Sequence, residues 1–347
     1  MKRIRLLATG GTINSSPGSG GLAPRTNSEN ILRYLCSVYP DIVFSYEDVL
    51  QMDSSNIQPE QWQIIAKRVY DSLPECDGIL ITHGTDTMAY TAGALSFMLQ
   101  GLDKPVVLTG SQMPISHPHT DAHVNLATAV AAVEAEIQGV LVAFNRKIIN
   151  GARAVKTSTL GFDAFQSINA LGMAQIFADG IRIYQKQTAS FPIPFRLRPR
   201  LSTDVFVLKL IPGTRPEVLD ALLQVGYKGI VIEAFGVGGI HYIQRDLLKK
   251  LEHLCASGVT VLVCSQCLYE GSNLNIYEVG QRLLSVGVIS AMDMTTEAAA
   301  TKLMWVLGNT ETASEAARLL SKNLVGEITP EQSPNKEGTE PADRGSL

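Results

Sequence analysis

At 347 residues the chain exceeds what one hydrophobic core ordinarily supports, so two domains are expected. Hydrophobic residues make up 45% and charged residues 18%, which excludes the disordered and fibrous classes, and no apolar run approaches the roughly 20 residues that cross a bilayer. A formal net charge of -4 argues against a nucleic-acid-binding surface, whose footprint is basic.

Short apolar runs alternate with longer helical patterns, the signature of an α/β fold with a largely parallel sheet. Strands are expected at Ile4–Thr9, Ile42–Glu47, Gly78–His83, Pro105–Gly110 and Gly139–Asn145. Helices are expected between them, at Ser28–Ser37, Pro59–Ser72, Thr87–Leu99 and Asp121–Glu136. Pro59 suits a first helical turn, and Gly101 a helix end. Residues 188–204 are rich in proline and arginine and lack helical period, so they read as a linker between domains 1–187 and 205–328. The alternation resumes with strands Val205–Ile211, Gly229–Phe235 and Val259–Ser265, and helices Pro216–Val225, Ile243–Ser257, Thr296–Leu307 and Glu311–Asn323. Residues 329–347 are polar and rich in Pro and Gly, and are expected to be disordered.

The opening MKRIRLLATGGT meets glycines too early for a secretory signal, whose apolar stretch runs about 7–15 residues. Five cysteines, Cys36, Cys76, Cys255, Cys264 and Cys267, suit a reduced, cytoplasmic protein. The CSQC spacing of Cys264 and Cys267 has no second pair to complete a zinc site, so buried core cysteines are the better reading. His117, His119 and His123 lie in a loop beside proline and read as surface residues, not metal ligands. Trp62 and Trp305 read as packing residues, and Asp121 and Asn125 as the start of a helix.

In open α/β sheets ligands bind beyond the carboxyl ends of the strands, so the turns after each strand carry the chemistry. These turns read TGGTIN, MDSSN, HGTDTM, SQMPI and GARAVKTST, rich in hydroxyls with few charges: Asp53, Asp86, Arg153 and Lys156. The glycines before Thr12 match neither the P-loop nor the dinucleotide pattern. A threonine nucleophile needs a base to take its proton. Histidine is the usual choice and His83 is the one present in these turns; the alternative is a lysine, and Lys156 is the only one there. Thr85 and Asp86 would orient it in a nucleophile–base–orienter relay. Thr and Asp are also ordinary helix caps, so residue types alone leave both readings open.

The segments TGGTI (9–13), HGTDTMAYT (83–91), TGSQMP (109–114) and GFDAF (161–165) are similar to those of the asparaginase/glutaminase family, and within it to the cytoplasmic, type I bacterial L-asparaginases. The likeness runs from about Arg3 to Ile328. It implies a larger N-terminal, flavodoxin-like mixed but mostly parallel sheet and a smaller C-terminal, Rossmann-like parallel sheet. It also implies hydrolysis of L-asparagine to L-aspartate and ammonia, L-glutamine being at best a weak substrate, in a homodimer or homotetramer that needs no metal or organic cofactor. By the same resemblance Thr12 forms a β-aspartyl ester, and Thr85, Asp86 and Lys156 supply the second catalytic group. Asp53, Ser54 and Ser55 meet the substrate's α-carboxylate and Asp86 its α-ammonium. Gly11, Gly84 and Ser111 complete the substrate site, with the Thr12 or Thr85 backbone N–H as oxyanion donors.

Two departures from the family stand out. Many members carry a tyrosine in the loop after the nucleophile, where this chain has Leu22. That loop, with Gly18, Gly20 and Gly21, reads as a mobile lid. Some type I enzymes bind a second, activating asparagine through an arginine; Glu233 stands at that place here, although Cys267 matches the same site. An acidic residue repels a carboxylate, so no such activation is expected. Tyr277 and Glu278 are candidates to reach a neighbouring subunit's site. Two rivals are the related subunit of a tRNA-dependent amidotransferase, expected to carry an extra N-terminal domain, and a non-catalytic amino-acid sensor, which would have lost Thr12, Thr85, Asp86 or Lys156.

Overall fold

The computed structural model describes residues 1–18, 21–24, 29–188 and 194–330. In chain order the strands and helices of the first part are β1 (Lys2–Gly10), β2 (Ser15–Gly18), β3 (Gly21–Pro24), α1 (Glu29–Val38), β4 (Ile42–Met52), α2 (Pro59–Ser72), β5 (Gly78–Thr82), α3 (Met88–Met98), β6 (Pro105–Thr109), α4 (Ala122–Glu134), β7 (Gly139–Phe144), β8 (Lys147–Asn150), β9 (Ala154–Lys156), β10 (Phe165–Ser167), β11 (Ala174–Phe177) and β12 (Gly180–Ile183). The second part adds β13 (Val205–Lys209), α5 (Glu217–Val225), β14 (Gly229–Ala234), α6 (Leu247–Ala256), β15 (Thr260–Ser265), α7 (Glu278–Ser285), β16 (Ile289–Ser290), α8 (Thr296–Asn309) and α9 (Ala313–Leu320).

The expected fold class holds. An eight-stranded mixed sheet runs β12-β11-β8-β7-β6-β5-β1-β4, and a four-stranded sheet runs β13-β14-β15-β16. All pairs in the second sheet are parallel. In the first, β4-β1-β5-β6-β7 are parallel, in the order 2-1-3-4-5 of a flavodoxin-like fold, and β8, β11 and β12 extend it antiparallel. Chain order reverses between β1 and β5, so the crevice for a ligand lies beyond their carboxyl ends.

Side-chain alternation builds the layers. Leu6, Leu80, Val107 and Leu141 point to one face, against Leu126, Val130 and Val133 of α4. Leu7, Ile81, Leu108 and Val142 point to the other, where Leu95 and Phe97 of α3 lie. That second core continues into the C-terminal part: Leu303, Trp305 and Val306 of α8 belong to it, and the Phe97 and Trp305 rings stack at 6.4 Å. Trp305 is thus a packing residue across the two sheets, as its sequence context suggested.

Several boundaries differ from the sequence reading, each for a local reason. The stretch after Phe144, where the expected strand ran on to Asn145 and no further strand was expected, is a tight hairpin into β8. Asn145 and Arg146 both take positive φ, 46° and 64°, as a two-residue primed turn requires, but Asn-Arg lacks the glycine that usually announces one. The helix expected from Ile243 begins at Leu247, because the Asp246 carboxylate accepts the Lys249 N–H at 3.1 Å. Helix α7 was missed. Its Gly280 weakens the helical signal, yet a Cβ there would fall 2.2 Å from Leu274 O, so only glycine fits. Residues 194–204 of the stretch expected as a linker carry no helix or strand but are pinned: Arg198 N–H reaches Met98 O at 2.8 Å, and Trp305 Nε1 donates to Arg198 O at 3.2 Å. Of the expected disordered tail, residues 331–347 lie outside the described residues. Thr329 is held, its N–H on Asp293 Oδ1 at 3.0 Å.

Candidate active site

Three turns meet at the switch point. Gly10 and Gly11 end β1 with φ of 104° and 82°. A Cβ on Gly11 would lie 2.4 Å from Gly84 N, and one on Gly84 would lie 2.5 Å from Ser54 Oγ. The turns after β1 and β5 are therefore packed backbone to backbone, and the Ser54 side chain of the turn after β4 fills the space beside Gly84, which glycine alone allows. The turn after β6 joins them through His83 N–H on Thr109 O at 2.9 Å.

Thr12 opens a one-turn 3-10 helix, Thr12–Asn14, anchored by buried Ile13. The Gly11 carbonyl accepts from Asn14 N–H at 3.1 Å and Ser15 Oγ at 3.0 Å. In a trans peptide the following N–H points the opposite way, so the Thr12 N–H faces away from those partners. Among the described residues neither that N–H nor the Thr12 hydroxyl has a hydrogen-bond partner. The side chain of Leu22, in the β2–β3 hairpin that follows, lies outside the described residues.

Thr85, Asp86 and Lys156 come together. Lys156 Nζ, at the end of β9, donates to Thr85 Oγ1 at 2.9 Å and to Asp86 Oδ1 at 2.6 Å. Thr85 is buried, whereas the Asp86 side chain is 64% exposed and open to a ligand. Thr87 Oγ1 donates to Ser54 O at 2.7 Å, tying this turn to the one after β4. There Asp53 caps not the helix at Pro59 but a separate short turn, accepting from the Ser55 N–H at 2.8 Å and from the Ser55 hydroxyl. Those two Ser55 bonds hold the Asp53 carboxyl below its ordinary range. Ser54 is buried with its hydroxyl facing Gly84, and Ser55 is exposed. Ser111 is buried, and its hydroxyl donates to Met113 O.

Other residues singled out in the sequence sit elsewhere. Arg153 turns away from the turns and is buried, donating to Gly326 O at 2.7 Å and to Asp293 Oδ2 at 2.9 Å. Trp62 packs in the core and donates through Nε1 to Thr91 Oγ1 at 2.9 Å; Thr91 in turn meets His83 Nε2 at 2.9 Å. His83 Nδ1 lies 2.7 Å from Gly84 O, an acceptor, so Nδ1 carries the proton and Nε2 accepts. With both nitrogens committed and the ring fully buried, His83 has no free lone pair to offer as a base. Cys264 is buried, but Cys267 is exposed, which corrects the reading of both as core cysteines. His123 stacks on Tyr34 at 4.3 Å. Among the described residues no group of three or more His, Cys, Asp or Glu is arranged to hold a metal ion.

Burial pushes the His83 imidazole down to about 4. The unfolded chain takes up that proton near pH 6.5 and the folded one only near 4, so stability is full above about 6.5 and falls as pH drops through this window, by about 3 kcal/mol. Urea midpoints at pH 7 and pH 4.5 test this: His83→Gln should show a clearly shallower acid loss than wild type. Equal losses would mean that His83 is not the neutral buried group.

Sequence reasoning missed two supports. Gln112 Oε1 accepts from Thr85 Oγ1 at 3.3 Å, placing Gln112 against the relay. Asp121, read as a helix start, accepts the Gln112 and Met113 N–H groups at 3.0 and 3.1 Å and Asn125 Nδ2 at 3.0 Å. Asn125 also takes the Asn145 N–H and donates to Gly110 O. Asp before a helix signals a cap, and nothing in the sequence separates that from bracing a loop nine residues upstream.

Nearly the whole chain is similar to known proteins. The chain is 42% identical over 329 residues to an L-asparaginase of Thermococcus kodakarensis, covering 94% of this chain and 99% of that one. It is 36% identical to a subunit of the glutamyl-tRNA(Gln) amidotransferase of Pyrococcus furiosus, over 96% of this chain and 78% of that protein. Among solved structures, the thermostable L-asparaginase of Thermococcus kodakarensis superposes with a TM-score of 0.89 at 41% identity, over 94% of this chain and 99% of that one. L-asparaginase I of Vibrio cholerae gives 0.83 at 31%, over 95% and 99%. Residues 3–189 match the family described as "Asparaginase, N-terminal", and residues 204–320 that described as "Glutaminase/Asparaginase C-terminal domain". Both sheets and the turns between them are thus accounted for, and the chain belongs to the asparaginase/glutaminase family of amidohydrolases.

Proposed function

We propose that this protein is an L-asparaginase that uses Thr12 as its nucleophile and the Thr85–Lys156–Asp86 relay to move protons. The observation that carries the reading is Lys156 Nζ bonded to both Thr85 and Asp86 in the turn packed against Gly11. Thr12 Oγ attacks the side-chain amide carbon, and the negative charge that develops on oxygen meets the Thr12 and Thr85 N–H groups. The C–N bond then breaks, the threonine proton leaves on nitrogen as part of ammonia, and a β-aspartyl ester remains. Water hydrolyses that ester, returning the proton to Thr12 and releasing aspartate. The Thr12 hydroxyl, without a partner among the described residues, is favoured as the attacking group, since the Thr85 hydroxyl is engaged on both sides.

Exposed Asp86 supplies the charge for the substrate's α-ammonium, and the turn from Asp53 to Ser55, with the Gly11, Gly84 and Ser111 backbone around it, frames the α-carboxylate. No metal or organic cofactor enters this chemistry. Type I kinship and a cytoplasmic location draw support from L-asparaginase I of Vibrio cholerae and from a Campylobacter jejuni structure named as a probable cytoplasmic L-asparaginase, with a TM-score of 0.80. No helix among the described residues is long and apolar enough to cross a membrane. A homodimer or homotetramer, with exposed Tyr277 and Glu278 directed to a neighbour, completes the proposal.

Ammonia release from L-asparagine and L-glutamine across concentration tests it. Asparagine should be turned over by the chain alone, with kcat/KM about 10- to 200-fold above glutamine, the worth of one methylene in a fitted pocket. The asparagine curve should be hyperbolic. Glu233 and Cys267 do share a cavity, also lined by Lys209, but Lys209 lies 3.8 Å from Glu233, which Thr296 Oγ1 binds at 2.7 Å, so the acidic residue opposes an effector carboxylate there. A sigmoidal curve would refute that point. Binding of asparagine without turnover would favour a sensor or a partner-dependent amidotransferase subunit instead.

A further inference from the structure

We infer that Gln112 is a positioning residue for the Thr85 hydroxyl, holding its proton away from Lys156 so that Lys156 can donate to the Thr85 oxygen. This rests on the threonine–lysine reading proposed above and gives a role to a residue that the sequence left without one.

Hydrogen-bond direction carries the argument. A carboxamide has two donors on nitrogen and an acceptor oxygen, and its orientation follows from its partners. Gln112 Nε2 lies 3.1 Å from Thr159 O and 3.1 Å from Gly161 O. Both partners only accept, so the nitrogen faces them and Oε1 faces Thr85. An ammonium only donates, so the Thr85 oxygen accepts from Lys156 at 2.9 Å. The single Thr85 proton is then left for Gln112 Oε1, at 3.3 Å. The chain runs one way: Lys156 N–H to Thr85 oxygen, Thr85 O–H to Gln112 carbonyl.

Gln112 is fixed at both ends. Its backbone N–H rests on the Asp121 carboxylate at 3.0 Å, which Asn125 holds from the next turn of α4. Its side chain is fixed by the 159–161 loop. A bond of 3.3 Å is a weak one, readily exchanged. When an amide nitrogen arrives beside Thr85, the hydroxyl proton trades the Gln112 oxygen for that nitrogen without moving a heavy atom, while Lys156 stays in place behind it. Without Gln112 the hydroxyl rotates freely and that orientation has to be found anew in each turnover.

Gln112→Met keeps the volume of the side chain and removes both the acceptor and the two donors. The expected result is a fall in kcat for asparagine of about five- to tenfold, with KM within about twofold and an unchanged melting temperature. The decisive comparison is the same substitution in a Thr85→Val background, assayed at high enzyme concentration. A group acting through the Thr85 hydroxyl costs nothing further once that hydroxyl is gone. Equal losses in both backgrounds would overturn the inference, because Gln112 would then act through the 159–161 loop. An undiminished kcat for Gln112→Met alone would also overturn it, while leaving the proposed activity intact. Wild type and Thr12→Ala are run alongside: if wild type released no ammonia from asparagine, the functional reading itself would fail, and this inference with it.

Discussion

Lys156→Met should retain no more than about a thousandth of the wild-type kcat on asparagine, with KM changed far less. Methionine reproduces much of the lysine stem but offers no nitrogen to Thr85 or Asp86. Proton transfer by a placed side chain is worth about 10²–10⁴ in rate, and without it the ammonia leaving group and the attacking water both go unassisted. Thr12→Ala should fall at least as far, and the double variant no further than the worse single one, because groups that work as a unit are not additive. Loss of fold is a separable explanation. Asp86 is 64% exposed and returns to water when its partner is removed, so the ion pair itself is worth only about 0–1 kcal/mol and the melting temperature should barely move. If Lys156→Met kept more than a tenth of wild-type activity, the relay would not be part of the chemistry.

Thr12, Thr85 and Asp86 were legible because they sit in the turns that follow sheet strands, where an α/β sheet puts its ligands, whereas Lys156 ends the short strand β9. Thr12 after β1 and Thr85 and Asp86 after β5 could be placed from the strand pattern alone, and their grouping follows from the order β4-β1-β5. Proposing catalysis rather than helix capping for these threonines needed the family likeness, since a threonine after a strand looks the same in either role. Arg153 was misplaced by the same logic. It lies three residues before Lys156, yet half-buried carbonyl and carboxylate partners from residues 326 and 293 draw it into the interior. Those partners are distant in sequence and leave no periodic signal. Gln112 was hidden for a related reason: a carboxamide has no charge, and its value comes from three groups that only the fold assembles. Short strands such as β9 and β10 were missed because three residues are too few to show an alternation.

Lys302→Met should destabilise the protein by about 3–5 kcal/mol, seen as a lowered urea midpoint at neutral pH. Lys302 and Glu327 form an ion pair at 2.6 Å with both side chains 0% exposed. The lysine also donates to Leu320 O at 2.9 Å and Lys322 O at 2.7 Å, while the Glu327 carboxylate accepts the Leu324 and Val325 N–H groups at 3.0 and 2.7 Å. Burial pushes the Lys302 ammonium down, and the Glu327 charge offsets part of that. Removing the lysine alone strands a carboxylate where water cannot reach it, which is why the loss exceeds the worth of the pair. The double variant Lys302→Met with Glu327→Gln removes the stranded charge while keeping an acceptor for the two backbone N–H groups, and it should recover more than half of the loss. If the double variant were as unstable as the single one, packing rather than the uncompensated charge would be responsible. The consequence reaches the active site. The segment that Glu327 folds also presents Val325 O to Asn150 and Gly326 O to Arg153, at the turn that leads into the Lys156 strand. Lys302→Met should therefore also lower activity at temperatures well below its unfolding transition, and the double variant should restore both together.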